Sequence, residues 1–179
     1  NVKYSFKNGS HLQAGAVLRN MYYKDEVEDK DRIVTGWGAS LSGIWQFAEN
    51  TSLCFQGVYG KGISNYIQDI SGSGLDLVPS ATAEGKLKAF NAWGGYIGFS
   101  HNWSKVLTSN IMYSYARVLD RYGMPATSYK YAQYAAANLF WDFSEYGSCA
   151  IEYVFGRRND FNKDYGNASR INTMIQYRF

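Results

Sequence analysis

Apolar and polar positions alternate along most of this chain with the two-residue period of a β-strand, and the alternation is most regular at the C-terminal end. In residues 170–179, Ile171, Thr173, Ile175, Tyr177 and Phe179 fall on one face, and Arg170, Asn172, Met174, Gln176 and Arg178 on the other. A strand with one apolar and one polar face fits a soluble sandwich or a membrane barrel. The aromatic ending favours the barrel, because a girdle of rings belongs where a lipid-facing strand reaches the interface. Arginines on the opposite face require water, so the pattern predicts lipid outside and a wet interior.

The same reading carries along the chain. An extended stub at 2–7 and an Asn8-Gly9-Ser10 turn precede a strand at 12–21, which directs Arg19 inward. Residues 24–31, crowded with Asp and Glu, read as a solvated loop. Strands are predicted at 35–47, with Trp37, Leu41, Trp45 and Phe47 outward, and at 53–67, with Leu53, Phe55 and Tyr59 outward. Residues 68–86, rich in Ser, Gly, Ala and Asp and without periodicity, suit a long extracellular barrel loop. Alternation resumes at 87–103, 107–121, 129–144 and 149–158, interrupted by a loop at 122–128 and followed by a polar loop at 159–168. Arg117 falls on the lipid phase of its strand, so either it lies beyond the apolar band, the favoured reading, or a bulge shifts the register. Short turns near Ser10, Thr51, Ser104 and Tyr146 alternate with four longer connections, predicting periplasmic and extracellular ends respectively.

This gives an all-β, antiparallel transmembrane barrel with about nine strands present. Single-chain bacterial barrels have even strand numbers, which leaves two readings. Either residues 1–179 are the C-terminal portion of a single larger barrel domain, or strands two to nine close as a small eight-stranded barrel with a structural or adhesive role. A soluble β-sandwich or barrel binding protein is the third alternative.

Composition supports strands over helices: the chain has 16 Tyr, 10 Phe, 5 Trp and 18 Gly against 2 Pro. No window approaches the roughly 18 apolar residues of a membrane helix. The formal net charge of +3 is too small to argue for nucleic acid. Cys54 and Cys149 fall on strands separated by three others, on the order of 19 Å apart, too far for a disulfide. Asp160, Asn162 and Asp164 alternate like calcium-loop ligands, but Tyr165 stands where that loop needs Gly, so turn chemistry is the better account. With 2 histidines, His11 at a turn and His101 outward, a catalytic triad facing one pocket is hard to build. No enzyme activity, metal or cofactor is expected.

The position of the charges is more informative than their sum. Arg19, Lys88, Arg158, Arg170 and Arg178 share the inward phase with Glu152 and Asp142. Guanidinium groups match carboxylates bidentately, and a narrow channel focuses their field, so Arg19, Lys88, Arg158 and Arg170, with Glu152, are the candidate pore-lining residues.

Several segments resemble the DcaP-like trimeric porins of Gram-negative outer membranes. They are His11-Leu-Gln-Ala-Gly-Ala-Val-Leu-Arg19, Gly36-Trp-Gly38, Tyr59-Gly-Lys-Gly-Ile-Ser-Asn-Tyr66, and Glu152-Tyr-Val-Phe-Gly-Arg-Arg158 with the strand that starts at Arg170. The resemblance implies a 16-stranded barrel, a homotrimer, an N-terminal periplasmic coiled coil, and passive uptake of small anions such as dicarboxylates through an arginine-lined constriction. It also implies a second Gly-Arg where this chain has Ser64-Asn65, so one pore charge of the family is replaced here.

Overall fold

A computed structural model describes residues 1–179. Its strands are β1 (Val2–Ser5), β2 (His11–Asp25), β3 (Lys30–Ala48), β4 (Thr51–Lys61), β5 (Leu77–Pro79), β6 (Leu87–Ala89), β7 (Asn91–Asn102), β8 (Leu107–Val118), β9 (Tyr129–Asp142), β10 (Gly147–Asp160) and β11 (Tyr165–Tyr177). Nine of them form one antiparallel sheet in the order β1-β2-β3-β4-β7-β8-β9-β10-β11, while β5 and β6 make a separate hairpin. The large sheet is open, with β1 and β11 at its edges.

Register aligns the predicted faces from strand to strand. One outward row runs through Trp45, Leu53, Phe99, Ile111, Ala137, Tyr153 and Ile171 without a break. These side chains are not covered by protein: Ile111 is 62% and Ile171 68% exposed, which a wall facing hydrocarbon tolerates and a surface facing water does not. The pairing of β7, β8 and β9 carries no register shift, so Arg117 keeps its outward phase, opposite Trp93 and Tyr131 and one residue from the end of β8.

Four of the predicted boundaries need correction. Residues 24–31 are not a loop: β2 and β3 pair as far as Asp25 opposite Lys30, and only the tip turns. The same holds at 159–168, where β10 and β11 pair out to Asn159 opposite Tyr165. A membrane strand needs about 9–11 residues, whereas β3 has 19, so these hairpins continue past the bilayer and become polar without ceasing to be strands. The strand expected at 53–67 ends instead at Lys61, and the one expected at 87–103 is interrupted at Phe90.

Between those points lies the principal departure from the sequence reading. Residues 62–90, of which 68–86 are expected as an outer loop and the flanks as strand, form two short 3-10 turns (Ser64–Tyr66 and Gln68–Ile70) and the β5-β6 hairpin. They pack against the inward side of the sheet. Ile63, Ile67, Ile70, Val78 and Phe90 join Ala92, Ala116 and Val118 in the one buried apolar cluster.

The turn at 160–164 closes by local bonds: Asn162 Nδ2 donates to Asp164 Oδ2, and Lys163 has φ 75°, the geometry of a turn. Cys54 lies on β4 and Cys149 on β10, with β7, β8 and β9 between them. Their strand phases place them on opposite faces of the sheet.

Candidate channel wall and inward segment

The inward segment has a seat because the wall beneath it is made of small residues. In register on the inward phase stand Gly38, Gly60, Ala92 and Val118, and beside them Val58, Gly94, Ala116 and Ala132. A Cβ at Gly38 would come within 2.9 Å of Ile63 Cγ2, and one at Gly94 within 3.1 Å of Ile67 Cγ2. Glycine at these two positions lets the aliphatic side chains reach the sheet.

The segment is also held by charge. Arg19 Nη1 donates to Asp76 Oδ2 at 2.8 Å and to the Gly62 carbonyl at 3.3 Å. Ser64 Oγ donates to Asp76 Oδ1 at 2.8 Å, and Asn65 Nδ2 to Asp76 Oδ2 at 2.8 Å. The guanidinium carbon of Arg19 lies 5.7 Å from the centre of the Tyr66 ring. Thus Ser64 and Asn65 are working parts of the anchor, both bonding the carboxylate that neutralises Arg19. The inward phase of β2 extends the grip: the Leu87 N–H donates to Tyr23 Oη at 3.1 Å, and Gly85 lies close against the fully buried Asp25.

The other predicted pore residues are dispersed along the wall. Arg158 Nε donates to Asp160 Oδ1 at 2.8 Å and its guanidinium lies 5.7 Å from the Tyr129 ring centre, with 57% of the side chain still exposed. Arg170 stands opposite Val154 on the inward phase, exposed and in no ion pair. Lys88 is on β6 opposite Val78, so it belongs to the inward hairpin and not to a wall strand. Glu152 sits in a transverse row with Asn110, Asn138 and Asn172. Asn110 Nδ2 donates to Asn138 Oδ1 at 2.7 Å, and Glu152 accepts from Asn138 at 3.3 Å and from Asn172 at 2.9 Å.

Sequence reasoning missed Asp69 and Asp76 as inward groups because both lie in the stretch assigned to an outer loop. The signal was present: Ile63, Ile67, Ile70 and Val78 are large aliphatic residues in a segment otherwise too polar to need them. Between the segment and the wall remains a recess of about 530 Å³, lined by Gln56, Tyr66, Gln68, Asp69, Tyr96, Ser114 and Tyr134 among others. Its lining offers amide, hydroxyl and phenol groups and one carboxylate, a surface that can exchange hydrogen bonds with a hydrated solute without binding it tightly.

The family model described as DcaP outer membrane protein matches residues 1–179. The outer membrane channel DcaP of Acinetobacter baumannii has a similar structure, with a TM-score of 0.79 at 19% identity over 99% of this chain and 49% of that one. The chain therefore spans about half the length of that protein. A NanC porin structure is similar at TM-score 0.49 and 13% identity, over 99% of this chain and 90% of that one. No curated protein matches the sequence.

Proposed function

The chain belongs to the DcaP outer membrane protein family of Gram-negative outer membranes, and from that premise we propose that it builds part of the wall and the constriction of a channel for passive diffusion of small solutes. The observation that carries this reading is the inward segment 62–90: a wall with one lipid-compatible face has, on its other face, a polypeptide anchored by Arg19 and Asp76 that leaves a polar recess beside it. In hydrocarbon the free edges of β1 and β11 would each expose a row of unpaired backbone groups, which favours residues 1–179 as the C-terminal portion of one larger barrel domain. Sixteen strands and a homotrimer are what the family resemblance implies for the assembled protein.

Preference for anions such as dicarboxylates is the finer part of the proposal. The charge surplus read from the sequence is smaller in the folded chain, because Asp76 neutralises Arg19 and Asp160 neutralises Arg158. What supports the preference is Arg170, which has no acidic partner, together with the exposed parts of Arg158 and Lys88. Glu152 opposes it. The expected selectivity is therefore modest and falls as salt rises, since the Debye length shrinks from about 10 Å at 0.1 M to about 3 Å at 1 M.

The test is the reversal potential of the full-length protein in planar bilayers under a salt gradient. Anion preference in the unmodified channel, reduced or reversed by Arg158→Glu with Arg170→Glu, supports the proposal. Cation preference, or no change in the double variant, would leave these arginines as wall structure. Absence of any conductance would sink the channel reading itself.

A further inference from the structure

On the lipid-facing side of the wall, Gly57 of β4 and Gly95 of β7 stand directly opposite each other. Two facing glycines leave a gap in an otherwise aromatic surface, and the gap is a groove of about 1150 Å³ walled by Leu41, Tyr59, Trp93, Ile97, Tyr113 and Tyr115. The glycines differ in what they tolerate. A Cβ at Gly95 would meet the Gln56 carbonyl oxygen at 2.5 Å, whereas at Gly57 nothing lies within 4 Å, so the groove is open space above Gly57.

At its loop end the groove runs up to a cation. Arg117 is on the same face as Tyr115, two residues further along β8 and opposite Trp93. It is half-buried, makes no ion pair, and its Nε is buried without a hydrogen-bond partner. The chain leaves this donor unmatched and the half-buried guanidinium without a counter-charge, which a bound anion would supply. Lys61 shares this face at the end of β4, two strands from β8 and thus roughly 10 Å away laterally, also without an acidic partner.

We propose that this surface binds a phosphorylated, acylated lipid of the outer leaflet, with one acyl chain in the groove over Gly57 and Gly95 and a headgroup phosphate on Arg117, reached also by Lys61. The longer connections lie at this end of the strands, which sets it on the outer side of the membrane. Charge complementarity selects the occupant. A phospholipid or phosphoglycolipid carries its anion at the interface, level with Arg117 near the end of β8, and its acyl chain below, level with the groove. The inference rests on the outer-membrane placement and not on the solute the channel passes.

The probe is diphosphoryl lipid A added to the full-length protein in detergent and followed by native mass spectrometry, with the same lipid stripped of phosphate and inorganic phosphate as the other arms. The native protein should bind the phosphorylated lipid in preference, with inorganic phosphate failing to compete. Arg117→Gln should weaken binding about tenfold and abolish the preference. Gly57→Leu, which fills the groove without touching the backbone, should weaken both lipids alike while heat-modifiable gel mobility stays native. Equal binding of the two lipids by the native protein, or unchanged binding in both variants, would overturn the proposal. So would Gly57→Leu dissociating the oligomer with lipid binding intact, which would make the groove a contact between barrels.

Discussion

Arg19 and Asp76 are 57 residues apart along the chain and 2.8 Å apart in space, and this single ion pair ties the inward segment to the wall. Both side chains are largely covered, 27% and 14% exposed, so neither is free to exchange its partner for water at no cost.

Asp76→Ala removes the acceptor shared by Arg19, Ser64 and Asn65. Leaving a half-buried guanidinium without its carboxylate should destabilise the segment's docking by about 1–3 kcal/mol. The channel should then show a larger single-channel conductance and faster cleavage by protease within 62–90. Unaltered conductance would mean that the segment does not limit the opening.

Phe90 is fully buried where the inward segment rejoins the sheet, with its ring 5.8 Å from that of Tyr122. Phe90→Ala should cost about 3–5 kcal/mol, because a large ring is lost from the only apolar cluster the protein covers. A lower temperature for conversion between the heat-modifiable gel bands would register it. The outward residue Ile111 provides the contrast: Ile111→Ala should change that temperature much less, since lipid replaces the lost methyl groups.

Glu152→Gln keeps the size of the side chain but removes the one charge in the row of Asn110, Asn138 and Asn172. A neutral amide retains a single carbonyl acceptor, so one of the two bonds from Asn138 and Asn172 is lost, at about 0.5–1.5 kcal/mol. Reversal potentials should shift toward anions. Identical potentials in the two proteins would place this row outside the path of the ions.

Purified in detergent, the protein should give β-rich circular dichroism and heat-modifiable mobility on gels, as a closed barrel does. A water-soluble monomer would contradict the assignment of the outward face to lipid.

The two-residue period of Ile171, Thr173, Ile175 and Tyr177, repeated in each wall strand, determined the all-β class, the assignment of faces and the neighbour order, because strand phase is a local property and consecutive antiparallel strands pair. It did not determine where strands end. Polar residues at 24–31 and 159–168 look alike whether they are loop or strand once the chain has left the bilayer, and only the pairing of Asp25 with Lys30 and of Asn159 with Tyr165 distinguishes the two. Nor did it reveal the inward segment. Residues 68–86 have no period of their own, and the seat that receives the segment is assembled from Gly38, Gly60, Ala92, Gly94 and Ala116 on four different strands. Small residues scattered along a sequence become a recess only when register sets them side by side. For the same reason the sequence read Arg19 as an open pore charge, and tertiary structure supplied Asp76 to neutralise it.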